Sequence, residues 1–183
     1  MLPLGTALTA LAGLAELAGV ATRRTTHAAR YAQAQALARR LGRWLVVVGD
    51  PRVVGATQAH ACGDLCVGRD GCPTCPRAIA ADVAAGPVTE VPDDSAVVFA
   101  SCALEYVPDV AAAWAEVMRM AGDRSRIVLV TVQPWTLTAA LHPGARWTLT
   151  EAQDGSVHAQ PVGTGRKLLT LASTVAGVQS IWR

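Results

Sequence analysis

The stretch SAVVFASCALEYVPDVAAAWAEVMRMAGDRSRIVLVTV, residues 95–132, decides the fold. It opens on one unbroken apolar run, Ser95 to Ser101, and closes on another, Arg126 to Val132. A strand with apolar side chains on both of its faces needs cover on both, the pattern of a parallel sheet. Between the runs, Ala112, Trp114, Ala115, Val117, Met118 and Ala121 recur at helical spacing, with Asp109 placed to start a helix and Gly122 to close it. Strand, crossover helix and strand make a right-handed βαβ unit.

Working outward, RWLVVVGDP (residues 43–51) is a further short apolar strand stopped by glycine and proline. DLCVG (Asp64 to Gly68) and PVTEV (Pro87 to Val91) are weaker strands, with CPRAIAADVAA (residues 75–85) between them as a short helix or turn. Downstream, RWTLTEAQDGSVHAQPV (residues 146–162) alternates around Asp154-Gly155, a hairpin signal. The closing RKLLTLASTVAGVQSIWR reads as a strand plus helix, or as one helix.

The chain has 183 residues, enough for one well-buried domain with an appendage. Its net charge is only +2, and fifteen arginines against one lysine are spread along it, so no nucleic-acid partner is expected. The opening MLPLGTALTALAGLAELAGVATRR carries a single charge, Glu16, between Leu2 and Thr22. A run of that length meets the ~20 residues a helix needs to cross a bilayer. Arg23, Arg24, Arg30, Arg39, Arg40 and Arg43 all follow it, which places the domain on the cytoplasmic side of a single-pass anchor. The competing reading is an alanine-rich core helix. Small residues Gly5, Ala12, Gly13 and Gly19 suit close packing against other membrane-protein subunits. Thr25 to Gly42 is a basic amphipathic helix with Tyr31, Ala34, Leu37, Ala38 and Leu41 on its apolar face, open to two settings, on anionic lipid or on the sheet, with a mixture of both expected. The expected organisation is therefore an anchor over 1–24, a linker helix over 25–43 and an α/β domain over 44–183.

From Trp44 to about Thr148 the chain resembles the class I S-adenosylmethionine-dependent methyltransferases, chiefly through ADVAAGPVTEVPDDSAVVFASCALEYVPDVAAAWAEVMRMAGDRSRIVLVTV. VVVGDP, CGDLCVGRDGCP and WTLTAALHPGARW are similar to a small branch of methyltransferase-like proteins that also begin with an apolar helix. The resemblance implies a doubly wound, Rossmann-like α/β sheet and S-adenosylmethionine as cofactor. In such a sheet a ligand lies outside the carboxyl ends of the strands, at the switch point. That edge comprises Gly49 and Asp50, Gly68 to Asp70, Asp82 ahead of the third strand, and Ser101 to Glu105. By resemblance, Gly49 matches the first glycine of the cofactor loop, Asp82 and Val83 address adenine, and Ala100, Ser101 and Cys102 wall the methionine part. Two departures stand out: the loop GDPRVVGATQAHACG is poor in glycine, and Gly68 stands where an acid should hold the ribose, with Asp70 as substitute.

Four cysteines, Cys62, Cys66, Cys72 and Cys75, with His60 in reserve, offer the sulfur ligands of a zinc site. CxxxC and CxxC separated by five residues are closer than paired zinc knuckles, and Cys66 falls inside a strand, so buried or loop thiols are favoured over zinc or a Cys72–Cys75 redox pair. His142 in LHPGARW is a candidate general base with Arg146 as an anion clamp, against a plain turn at Pro143-Gly144 with Trp135 and Trp147 packed on the domain. Glu105 and Tyr106 face the pocket or simply lead into the crossover helix. The expected function is an accessory or scaffold subunit of a membrane-associated assembly, without catalysis. The alternative is an active methyltransferase with its acceptor open.

Overall fold

The computed structural model describes residues 27–49, 64–68, 75, 77–101, 103–131, 144–162, 169–171 and 179–180. Five parallel strands form the central sheet: β1 (Trp44–Val48), β2 (Leu65–Gly68), β3 (Ala78–Ala80), β4 (Ala96–Ser101) and β5 (Ile127–Val130). Their order is β3-β2-β1-β4-β5, the Rossmann-like arrangement in which the winding direction reverses between β1 and β4. A helix over residues 27–41, α1, precedes β1, and α2 (Val110–Ala121) crosses from β4 to β5.

Alternation along the strands explains the continuous apolar runs. Leu45 and Val47, Cys66, Val97 and Phe99, and Val128 point to one face, where Ala34 and Ala38 of α1 cover them. Val46 and Val48, Leu65 and Val67, Val98 and Ala100, and Ile127 and Leu129 point to the other, under Val110, Ala113, Trp114 and Val117 of α2. Each face supplies a layer of core, so a polar residue at almost any of these positions would be buried.

α2 begins and ends on sequence-encoded caps. Asp109 Oδ1 accepts from the amides of Ala111 and Ala112 at 2.9 and 3.0 Å, and Gly122 closes the helix in the left-handed conformation at φ 71°. Its buried face is turned from the expected one. Ala113, Glu116 and Met120 lie inside, while Ala115 is exposed. Glu116 can be interior because Arg119 pairs with it through Nε at 2.8 Å and Nη2 at 2.7 Å, and the Val88 amide donates to it at 2.8 Å. Arg119 also donates to the Val91 and Val88 carbonyls, at 2.9 and 3.1 Å, and pairs with Asp93. The neighbouring carboxylates, Glu116 first, push its guanidinium still further from losing a proton.

That network accounts for a second correction. Pro87 to Val91, expected as a strand, is a turn segment docked on α2, with the Val91 amide donating to the Val88 carbonyl at 3.0 Å. The third strand is Ala78–Ala80, within the piece expected as helix or turn, and it pairs with β2 in the register Cys66↔Ala78, Val67↔Ile79 and Gly68↔Ala80.

A separate antiparallel sheet follows, in order β6-β7-β8-β9: β6 (Trp147–Glu151), β7 (Val157–Pro161), β8 (Leu169–Leu171) and β9 (Gln179–Ser180). The hairpin expected at Asp154-Gly155 is present, with Gly155 at φ 80°. Leu149, Val157 and Ala159 join the α2-side core, and Arg124 clasps the hairpin through the Gly155 carbonyl at 3.1 Å and Glu151.

The expected anchor over 1–24 lies outside the described residues. Among the described residues no helix is long and apolar enough to cross a membrane. The single-pass membrane placement, with the bilayer and membrane-protein subunits as partners, is accordingly corrected and not retained. Of the two settings open to the amphipathic helix, the structure has α1 on the sheet, with Phe99 edge-on to both Tyr31 and His27.

Candidate functional site

The carboxyl ends of β1 and β4 meet at the switch point. Gly49, the first residue after β1, has φ 132°, and its amide donates to the Val67 carbonyl at 3.0 Å. A Cβ at this position would stand 3.0 Å from the Ser101 carbonyl oxygen and 3.1 Å from the Ala103 Cβ. Glycine is required here twice over, by backbone angle and by the close approach of the β4 end.

Ser101 ends β4 and is 5 % exposed. Its hydroxyl is buried and has no hydrogen-bond partner among the described residues. Leaving such a group unpaired costs about 1–3 kcal/mol, so a buried hydroxyl without a described partner stands out at the end of a strand. Ala100 beneath it is buried.

On the far side of β1, Gly68 ends β2 and accepts at its carbonyl from the Ala81 amide at 3.0 Å. Asp82 follows β3 instead of preceding the third strand, because that strand is Ala78–Ala80, and this brings Asp82 to the carboxyl edge. Its Oδ1 accepts from the Ala84 amide at 2.9 Å and its carbonyl from the Ala85 amide at 2.8 Å, building a turn that holds Val83 in the core. Glycine, glycine, acid and hydroxyl therefore succeed one another at the ends of β1, β2, β3 and β4. The donor set, with an orphan hydroxyl and glycine-lined backbone, fits a nucleoside-bearing cofactor.

Glu105 is buried in the turn after β4, and its carbonyl accepts from the amides of Arg146 and Trp147 at 2.7 and 3.1 Å. The start of β6 is thereby fixed beside this turn. Trp147 donates from Nε1 to the Val107 carbonyl at 2.9 Å, which is the packing role, and the Arg146 side chain is exposed. Tyr106 is partly buried in the same turn, and Asp109 is the helix cap already described. Asp50, His60, Cys62, Asp70, Cys72, Cys102, Trp135 and His142 lie outside the described residues.

Cys66 and Cys75 are the described members of the cysteine cluster. Among the described residues no group of three or more His, Cys, Asp or Glu side chains comes together to hold a metal ion. Cys66 Sγ instead lies 2.9 Å from Cys75 Sγ. Sequence spacing alone gave no hint of that pair, since the partners are brought together by the β2–β3 register. The Nε2 of His27, buried against Phe99 without a hydrogen-bond partner among the described residues, carries no sequence signal either, and burial holds its imidazole below the ordinary histidine value.

No protein-family model, curated protein or solved structure matches the chain. Membership of the class I methyltransferases, expected from the resemblance, is corrected on that ground: what the chain shares with such folds is the Rossmann-like strand order. The accessory or scaffold role in a membrane assembly is corrected with it, since no described helix supplies the anchor that role needs. A parallel sheet of this order is a nucleotide- or cofactor-binding architecture in general.

Proposed function

We propose that the chain binds a nucleoside-bearing cofactor across the carboxyl edge of its parallel sheet, that the cofactor is S-adenosylmethionine, and that the reaction is methyl transfer. The observation that carries this is the Ser101 hydroxyl, buried without a partner among the described residues, beside Gly49 at the switch point between β1 and β4. A buried hydroxyl without a hydrogen bond is kept in a core only against a cost, and a ligand polar group would offset that cost.

S-adenosylmethionine supplies, when bound, a methyl group activated by its sulfonium. Such a transfer depends chiefly on alignment, so the protein's task is to hold two molecules in line and exclude water. Gly49 and Gly68 keep the edge free of side chains at the ends of β1 and β2. Asp82, at the end of β3, is placed to accept from hydroxyl or amino groups, and Val83 behind it gives an apolar wall. Asp50 and Asp70 are further acids of the same edge by sequence position. A nucleophilic O–H or N–H acceptor must give up its proton, and Glu105, with His142, is the candidate to receive it.

Calorimetric titration of the full chain with S-adenosylmethionine and with its homocysteine product tests the proposal. Micromolar binding is expected, and no heat at millimolar ligand would overturn it. Ser101→Ala is expected to weaken binding about two- to twelvefold, the span of one net hydrogen bond. Asp82→Ala should weaken it as well, and a chain that binds equally well after both changes binds elsewhere.

A further inference from the structure

The helix α1 carries a buried histidine for which the carboxyl-edge chemistry has no use. His27 is 4 % exposed, and its ring stands edge-on to Phe99 with 5.2 Å between centroids. Its Nε2 is buried without a hydrogen-bond partner among the described residues. We propose that α1 is a pH-released cover, in which a proton taken up by His27 frees the amino half of the helix from the sheet.

The two ends of α1 are attached unequally. Its carboxyl end is fixed to β1 by the Arg43 amide, which donates to the Ala38 carbonyl at 3.0 Å, and Gly42 at φ 60° forms the turn about which the helix can swing. Ala34 and Ala38 are its buried aliphatic residues, with Leu37 half-buried, and alanine removes little apolar area from water. The amino half therefore relies on His27 and Tyr31, both edge-on to Phe99. Phe99 stands opposite Val47, one residue short of the end of β1, so this half of α1 lies over the carboxyl part of the sheet. Ser101, two residues further along β4, pairs in register with Val130, which packs in the α1-side cluster. Ser101 thus lies on the face that α1 covers.

A neutral imidazole fits this setting and a charged one does not. Beneath α1, β1 contributes Leu45 and Val47, β4 contributes Val97 and Phe99, and β5 contributes Val128 and Val130, while Tyr31, Cys66 and Cys75 bring the polar side-chain atoms of the cluster. Arg30, beside His27 on α1, is exposed and donates to Gln33, and Asp64 lies at the amino end of the sheet, where the Leu45 amide donates to it at 2.8 Å. No carboxylate among the described residues pairs with His27, and burial lowers the proton affinity of its ring. Once released, the ring has the ordinary value of 6.5. The docked helix is therefore fully favoured above that pH and loses ground as the pH falls from it toward the lower, docked value. The proton comes from solvent, and water solvates the imidazolium that forms. The release is independent of what the carboxyl edge binds.

Amide hydrogen exchange in the full chain, followed by mass spectrometry from about pH 8 to about pH 5 and corrected for the intrinsic rate at each pH, tests the cover. The expected result is constant protection over residues 28–41 above about pH 6.5 and a loss approaching about tenfold per pH unit below it, with α2 unchanged. His27→Phe keeps a ring on Phe99 without a titrating group, and protection of its α1 should not vary with pH. His27→Leu serves the same purpose if the larger ring does not fit. Equal loss in α1 and α2, or the same loss in these variants as in the unaltered chain, would overturn the proposal. The unaltered chain gives a second reading. Trypsin releases Thr25–Arg30, in which His27 is the sole histidine, so exchange of its C2 proton with deuterated solvent, followed against pH, reports the titration of this ring. A midpoint at or above the ordinary 6.5 would also overturn the proposal.

Discussion

The two ends of the parallel sheet are held in opposite ways. At the amino end, Asp94 sits at φ 52° between β1, β4, α2 and β5, paired with Arg43 at 3.3 Å and with Arg126. Its amide donates to the Arg119 carbonyl at 2.9 Å, and the Ser95 amide donates to the Met120 carbonyl at 3.0 Å. The Leu45 amide donates to Asp64 Oδ2 at 2.8 Å, so β1 and β2 are tied at this end too. At the carboxyl end the corresponding positions carry two glycines and a hydroxyl that is buried without a partner among the described residues. Among the described residues, polar groups at one end satisfy each other and at the other one is left over, the division expected if the amino end serves stability and the carboxyl end the proposed binding.

Gly122 should therefore show the largest stability loss. A Cβ there would come within 2.6 Å of Asp94 Cγ, and the residue's φ of 71° is unfavourable to any side chain. Gly122→Ala is expected to cost about 3 kcal/mol, from left-handed strain and steric overlap together. Urea unfolding of the purified chain measures it, and a loss below about 1 kcal/mol would show that Asp94 swings aside freely. Glu116→Ala ranks next. It strips Arg119 of its main partner and the Val88 amide of its acceptor, and with Arg119 partly solvated the expected loss is about 2 kcal/mol. Neither change is expected to alter ligand affinity in the fraction that remains folded.

Ser101→Ala is the matching probe of the other end. Removing a buried hydroxyl that has no partner among the described residues should leave stability unchanged or raise it by up to about 1 kcal/mol, while weakening binding. A loss of stability comparable to that of Glu116→Ala would mean that Ser101 is structural, and the contrast between the two ends would collapse.

How far the sequence revealed these ends follows from the range of the signals. The runs at Trp44–Val48, Ala96–Ser101 and Ile127–Val130, the Asp109 and Gly122 caps and the Asp154-Gly155 turn are local patterns, and each stands where its residues place it. Pro87 to Val91 misled because its alternation of apolar residues is that of a strand, yet a buried Glu116 twenty-eight residues away captures its amide. Ala78–Ala80 was obscured because alanine favours helix, and only pairing with Leu65–Gly68 makes it a strand. At the candidate site, Gly49 and Ser101 were legible as strand-end residues, whereas Asp82 was expected ahead of the third strand and follows it. That Ser101 has no partner among the described residues, and that Cys66 meets Cys75, are facts of packing that no spacing encodes.

The smallest expected effect returns to Asp94. Its hydrogen bond with Arg126, with the charges of Arg126 and Arg43 adding, holds its carboxyl below the usual carboxylate range. A group with a depressed folded value contributes stability that is present above its unfolded value, near 3.8, and is lost as the pH falls through the folded value. The side chain is well exposed, so salt should screen the contribution. Asp94→Asn keeps the packing beside Gly122 but removes the charge, and its stability should fall less steeply than the parent's as the pH drops below 4, in low salt more clearly than in high. Parallel acid unfolding curves for the two chains would show that the charge of Asp94 contributes nothing and its shape alone holds the amino end, whereas a gap that closes as acid is added shows that Asp94 contributes through its ion pairs as well.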